Sequence, residues 1–176
     1  MRTFGYSKNS NQMKILEQGQ IKQKIKRLAV EIIEQNFDAK EIIFAGINNN
    51  GLGFSKLLVK EVKKLTETTI TQCQISINPA KPISEEVSIS LAPADIKNKT
   101  IIIVDDVANT GRTLFYAFKP FTNILVKKIQ VAVLVDRKHK SFPVQVDYVG
   151  LSLATTLKDN IDVKLISVDE LEVCLD

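Results

Sequence analysis

The sequence predicts an α/β protein: a central parallel sheet flanked by helices, with one small hairpin that interrupts the alternation. Three observations lead there. Strand-like apolar runs alternate with helical patterns along the chain. The run Thr100–Val104 is continuously apolar, as a strand buried on both faces must be. It is followed at once by two carboxylates, a glycine-bearing loop and a helix, the arrangement that places a ligand beyond the carboxyl end of a parallel strand.

Each element has its own signal. Ile21, Ile25, Leu28, Ala29, Ile32 and Ile33 mark one face of a first helix, which Asn36 and Asp38 stop. Glu41–Gly46 reads as a short buried strand. A second helix is expected from about Phe54 to Leu65, with Phe54, Leu57, Leu58 and Val62 inward. Thr68–Ile77 and Glu86–Leu91 read as the two strands of a hairpin around Pro79 and Pro82. A helix is expected from about Arg112, then strands at Lys128–Val135 and Val146–Leu151, and a C-terminal segment of strand character from Val163.

Composition narrows the function classes. At 176 residues the chain is long enough for one domain to bury a core without staples. Residues 13–176 are expected to form that domain, and residues 1–12, polar throughout most of their length, a loose tail. With one histidine and two distant cysteines, a Cys/His zinc site is nearly excluded, and unpatterned cysteines fit a reducing cytoplasm. A net charge of +4 admits an anionic ligand or nucleic acid without demanding either. No apolar run reaches membrane-spanning length.

The chemistry concentrates in Ile101-Ile102-Ile103-Val104-Asp105-Asp106-Val107-Ala108-Asn109-Thr110-Gly111-Arg112-Thr113. Gly111 tolerates the left-handed geometry that turns successive N–H groups toward one point. The start of a helix adds positive potential, and Thr110 and Thr113 add hydroxyls. Together these suit a phosphate. Carboxylates beside it would repel that phosphate, so Asp105 and Asp106 make sense facing hydroxyl groups or a metal. A phosphorylated ribose has this layout.

This segment resembles the signature of type I phosphoribosyltransferases that binds phosphoribosyl pyrophosphate (PRPP). More of the chain is similar to one branch, the bifunctional pyrimidine-operon attenuator and uracil phosphoribosyltransferase family. Ile15–Asn36 is similar to its first helix, Val131–Val144 (VAVLVDRKHKSFPV) to its strand and base-binding loop, and Asp147-Tyr148-Val149-Gly150 to its next strand. The resemblance implies that Asp105 and Asp106 hold the ribose hydroxyls and that Ala108, Asn109, Thr110, Gly111, Arg112 and Thr113 form the 5′-phosphate loop. It implies that Asp136 lies near a magnesium ion and the pyrophosphate. Arg137, Lys138 and His139 then belong to the wall around a nucleobase, and Thr68–Leu91 to a hood that closes over PRPP. A homodimer, and RNA as a further partner, are implied in the same way.

One stretch departs from the family. Its pyrophosphate loop carries Lys-Thr-Arg-Gly, and here the matching segment is Ile47-Asn48-Asn49-Asn50-Gly51. Each lost cation removes a charge-assisted bond worth roughly 1.5–3 kcal/mol, so two losses correspond to about two to four powers of ten in turnover. Two readings stand: a pyrophosphate loop built from backbone N–H groups, or an ordinary Asn-rich turn. The first makes the protein an enzyme. The second suits a PRPP- or nucleotide-sensing regulator that binds RNA, with the lysines Lys22, Lys24 and Lys26 and Arg27 of the first helix as its surface.

Overall fold

A computed structural model describes residues 13–154 and 160–175. The tail expected at residues 1–12 lies outside them. In chain order the elements are β1 (Met13–Leu16), α1 (Gln18–Gln35), β2 (Glu41–Ile47), α2 (Asn48–Val62), β3 (Thr69–Ser76), β4 (Ser88–Ile89), α3 (Pro93–Ile96), β5 (Thr100–Ala108), α4 (Arg112–Ala117), β6 (Lys128–Arg137), β7 (Tyr148–Leu153), β8 (Ile161–Lys164) and β9 (Glu172–Leu175).

The main sheet has the order β4-β3-β2-β5-β6-β7. Its strands β3, β2, β5, β6 and β7 run parallel, and β4 alone is antiparallel. Alternate residues divide the core between the two faces. Ile42 and Phe44 of β2 and Ile102 and Val104 of β5 meet α1 and α2, which contribute Ile21, Leu28, Phe54 and Leu58. Ile43 and Ala45, with Ile101 and Ile103, meet Ile96, Leu114, Ala117 and Phe121 on the other face. A parallel sheet covered on both sides is what the continuous apolar run required.

Two expectations need correction, and two pairings add to the expected plan. Helix α2 starts at Asn48, not near Phe54. Glycine and asparagine read as a turn by propensity, but packing overrides it here. Strands β5 and β6 run on to Ala108 and Arg137, because they pair with each other to the register Ala108–Asp136. The expected pairing of β4 back on β3 is present but short, at Ile75–Ile89 and Ser76–Ser88, while β3 also pairs with β2 along seven positions from Glu41–Thr69 to Ile47–Ile75 and so joins the main sheet. The C-terminal segment has the strand character expected of it, and with β1 it adds a second, antiparallel sheet, β1-β9-β8, that turns Leu16, Ile161 and Val173 into the core. Its strands have four residues each and come from distant parts of the chain, too short for a periodic signal. Among the described residues no helix is long and apolar enough to cross a membrane.

A buried polar network ties α1 to the sheet. Asn36 closes the helix, and its amide donates to Ile32 O (2.8 Å), Gln130 Oε1 (3.0 Å) and Tyr148 Oη (3.0 Å). The Tyr148 hydroxyl donates to Gln130 Oε1 at 3.0 Å. Burial pushes the phenol up to about 12, so it stays a neutral donor. Removing that hydroxyl leaves buried partners unmatched. Tyr148→Phe is therefore expected to lower stability by about 1–3 kcal/mol in urea unfolding, with the slope of the transition unchanged.

Candidate functional site

The carboxyl ends of β2, β5 and β6 converge on one edge of the sheet, and nearly all the residues singled out above lie along it. Asp105 and Asp106 are the sixth and seventh of the nine residues of β5. Asp105 is buried, and its carboxylate accepts the Asp106 N–H at 3.0 Å. Asp106 is half-buried and accepts the Val107 N–H at 2.9 Å. Burial first, and then the neighbouring Asp106 carboxylate, push the Asp105 carboxyl well above the ordinary aspartate range.

The segment after β5 turns at Gly111, which holds φ 82, a conformation that a side chain would strain. A concave surface of about 40 Å³ is lined by Asp105, Val107 and Ala108 through Leu114. Asn109, Thr110 and Arg112 are exposed and Thr113 is half-buried. Helix α4 has only six residues before the chain tightens into a 3₁₀ turn at Lys119–Phe121. Its dipole is correspondingly small, and the loop's own N–H groups must supply most of the affinity for an anion.

The expected pyrophosphate loop is the end of β2 and the first turn of α2. Its three asparagines are engaged. Asn48, at φ 49, pairs with Ile77 like a strand residue: its Nδ2 donates to Ile77 O and its Oδ1 accepts the Ile77 N–H, both at 3.0 Å. Asn49 Oδ1 accepts from Gln74 at 3.3 Å. Asn50 Nδ2 donates to Asp106 Oδ2 at 3.1 Å, so this segment touches the carboxylate pair directly. A lysine at position 48 would lose both bonds to Ile77 and sit in a left-handed conformation that favours asparagine.

At the end of β6, Asp136 is ion-paired with Lys140. Arg137 is 9% exposed, and its Nη1 donates to Asn109 Oδ1 at 3.0 Å, which draws it to the loop. Lys138 is exposed and His139 half-buried. Among the described residues no three His, Cys, Asp or Glu side chains cluster to hold a metal. Magnesium keeps most of its waters and needs only one or two carboxylates besides a ligand's phosphates, so Asp136 fits a cation carried in by the ligand and not a resident one.

A carboxylate pair, a glycine turn and an acidic strand end thus share one sheet edge. The model of the phosphoribosyl transferase domain matches residues 11–170. The chain belongs to that family. Among relatives of this phosphoribosyltransferase, the bifunctional protein PyrR of Pediococcus pentosaceus is 32% identical over 170 residues, covering 92% of this chain and 96% of its own. The bifunctional protein PyrR of Bacillus pumilus is 33% identical over 165 residues, covering 89% and 92%. The fold is shared with a hypoxanthine-guanine phosphoribosyltransferase from Bacillus anthracis (TM-score 0.70, 20% identity, 81% and 82% covered). It is shared also with a Trypanosoma cruzi hypoxanthine phosphoribosyl transferase (TM-score 0.72, 14% identity, 98% and 94% covered).

In sequence Lys140 stands with Arg137, Lys138 and His139 in one basic cluster after a strand, a solvated loop or a contact to base or pyrophosphate; the cluster gives no hint that Lys140 is the member that pairs with Asp136. The buried carboxyl makes a separate expectation. A raised folded-state value means that the folded protein holds the Asp105 proton where the unfolded chain has lost it, so stability falls as pH rises above the ordinary value near 4. Asp105→Asn removes this loss. Its melting temperature should exceed the wild type's at pH 7, and the gain should shrink toward zero as the pH is lowered to about 4.

Proposed function

We propose that this phosphoribosyltransferase transfers phosphoribosyl from PRPP to a pyrimidine base, uracil first. The observation that carries the proposal is Asp105 lining one hollow with the Ala108–Thr113 loop, with Asp106 next to it in β5 and bonded to Asn50. Asp105 and Asp106 hold the ribose hydroxyls, and the loop N–H groups hold the 5′-phosphate. The base lies against Arg137, Lys138 and His139, as in the family that the sequence resembles. Asp136 would hold the magnesium ion that accompanies PRPP, which draws charge from the departing pyrophosphate.

The rest of the chemistry belongs to the chain's own residues. The sugar becomes cationic as pyrophosphate leaves, and the paired carboxylates lower that barrier electrostatically. Residues 77–87, beyond the β3 end and beside Asn48, are the part of the hood segment that excludes water. Ile47–Gly51 meets the pyrophosphate without a cation, so turnover is slow while PRPP still binds. The protein works as a homodimer in the cytoplasm; its buried free thiols, Cys73 and Cys174, suit a reducing compartment.

A steady-state assay with labelled PRPP and a panel of bases tests this. Transfer to uracil above other bases is expected. Asp106→Asn should weaken PRPP binding by roughly 1–3 kcal/mol in calorimetric titration, the size of a lost charged hydrogen bond. No transfer to any base, or unchanged affinity, would reject the assignment.

A second reading, an RNA-binding regulator of pyrimidine genes, is favoured by one observation. Lys22 and Lys26 of α1 line a cleft of about 290 Å³ together with Lys60 of α2 and Lys64 just past its end, the last of these paired with Glu61 of the same cleft. Lys24 and Arg27 leave that surface, because they donate to the carbonyls of Val149 and Gly150. Replacing Lys22, Lys26, Lys60 and Lys64 by alanine should weaken RNA binding in a filter assay. It should also flatten the log–log salt dependence by about 0.7 for each phosphate that a lysine no longer neutralises. Binding indifferent to salt or to these substitutions would remove the second reading.

A further inference from the structure

Lys140 belongs to the segment that follows β6, and its half-buried side chain turns back toward the strand ends. Its ammonium is ion-paired with the Asp136 carboxylate and donates to Arg137 O at 2.8 Å and to Ala108 O at 3.4 Å. Its stem lies over the turn: a Cβ placed on Gly111 would come within 3.3 Å of Lys140 Cδ. Two neighbours complete the junction. The N–H groups of Ser141 and Phe142 both donate to Thr110 O, at 2.9 and 3.1 Å. Lys140 thus bridges β5 and β6 just past their last paired residues, Ala108 and Asp136.

The direction of these bonds matters. In a trans peptide the C=O of one residue and the N–H of the next point opposite ways, and the described chain has no cis peptide. With Thr110 C=O held toward Ser141 and Phe142, the Gly111 N–H is turned away from them. With Ala108 C=O held toward Lys140, the Asn109 N–H is turned away from Lys140. Peptides pinned on their carbonyl side leave their N–H groups to the opposite side, where an anion must sit if the loop binds one.

We infer that Lys140 is a positioning residue: it clamps residues 138–142 onto the loop and so holds the Ala108–Gly111 peptides in the orientation that receives the 5′-phosphate. This rests on reading Ala108–Thr113 as the phosphate loop. Lys140 does not touch the ligand in this scheme. It acts through Asp136, the Ala108 carbonyl and the backbone of Ser141 and Phe142. The same clamp joins the phosphate loop to the 137–139 wall, so the two sides of the site move as one body.

The test compares wild type, Lys140→Ala and Lys140→Arg in two measurements. The first is hydrogen exchange on the ligand-free protein. The Ser141 and Phe142 amides should exchange about tenfold faster or more in Lys140→Ala, the equivalent of one charged hydrogen bond, and return toward wild type in Lys140→Arg. The second is titration with ribose 5-phosphate and PRPP, together with transfer kinetics. Lys140→Ala should bind both ligands about tenfold or more weaker and raise KM for PRPP, with kcat changed much less, and arginine should restore most of the loss. Unchanged exchange, or faster exchange with affinities within about twofold of wild type, overturns the inference. If wild type itself binds neither ligand, the phosphate-loop reading fails and the positioning role falls with it. That result is distinct from a wild type that binds and an alanine variant that binds equally well.

Discussion

Where α2 crosses β5 the backbones leave no space for a side chain. A Cβ on Gly51 would lie 2.4 Å from the Val104 carbonyl oxygen, and one on Gly46 would lie 2.4 Å from Leu52 Cα. This close approach of helix to sheet decides the rest of the site. It starts α2 at Asn48 and so puts the asparagine triplet in the helix's first turn. It brings Asn50 to Asp106 and ties Asn48 to Ile77 at the far end of β3. Any side chain at position 51 would lift the helix off β5 and separate these groups together.

The charges on this edge follow the same constraint. Asp105 is buried beside a second carboxylate, which makes its ionisation costly until a partner arrives. The third carboxylate, Asp136, already has its counter-ion in Lys140. No cation stands in the Ile47–Gly51 segment to balance a pyrophosphate. On the proposed function, affinity for a sugar phosphate rests on oriented backbone N–H groups and hydroxyl–carboxylate bonds. The bonds from Lys140, Ser141 and Phe142 to the carbonyls of Ala108 and Thr110 are what hold that loop in the protein as it stands.

Membership of the phosphoribosyltransferase family and the shape of this edge agree without repeating each other. The family match covers nearly the whole chain, and the likeness to hypoxanthine enzymes is one of fold. The local departure at Ile47–Gly51, asparagines for cations, is a feature of this chain's own side chains.

By itself the sequence determined the alternating α/β plan, the central strand and the glycine turn between that strand and the next helix. Those depend on local signals: a 3.6-residue face in α1, an unbroken apolar run in β5, and a glycine after a carboxylate pair. Such signals are legible because each is set by residues close in the chain. Tertiary structure decided the start of α2, the merging of β3 into the main sheet and the sheet made from both chain ends. It also decided which lysines face solvent. Lys24 and Lys140 look in sequence like their neighbours, yet one bonds the Gly150 carbonyl and the other bridges two strand ends. The physical reason is that a side chain's partners across the fold lie many residues away, and only packing brings them within hydrogen-bond reach.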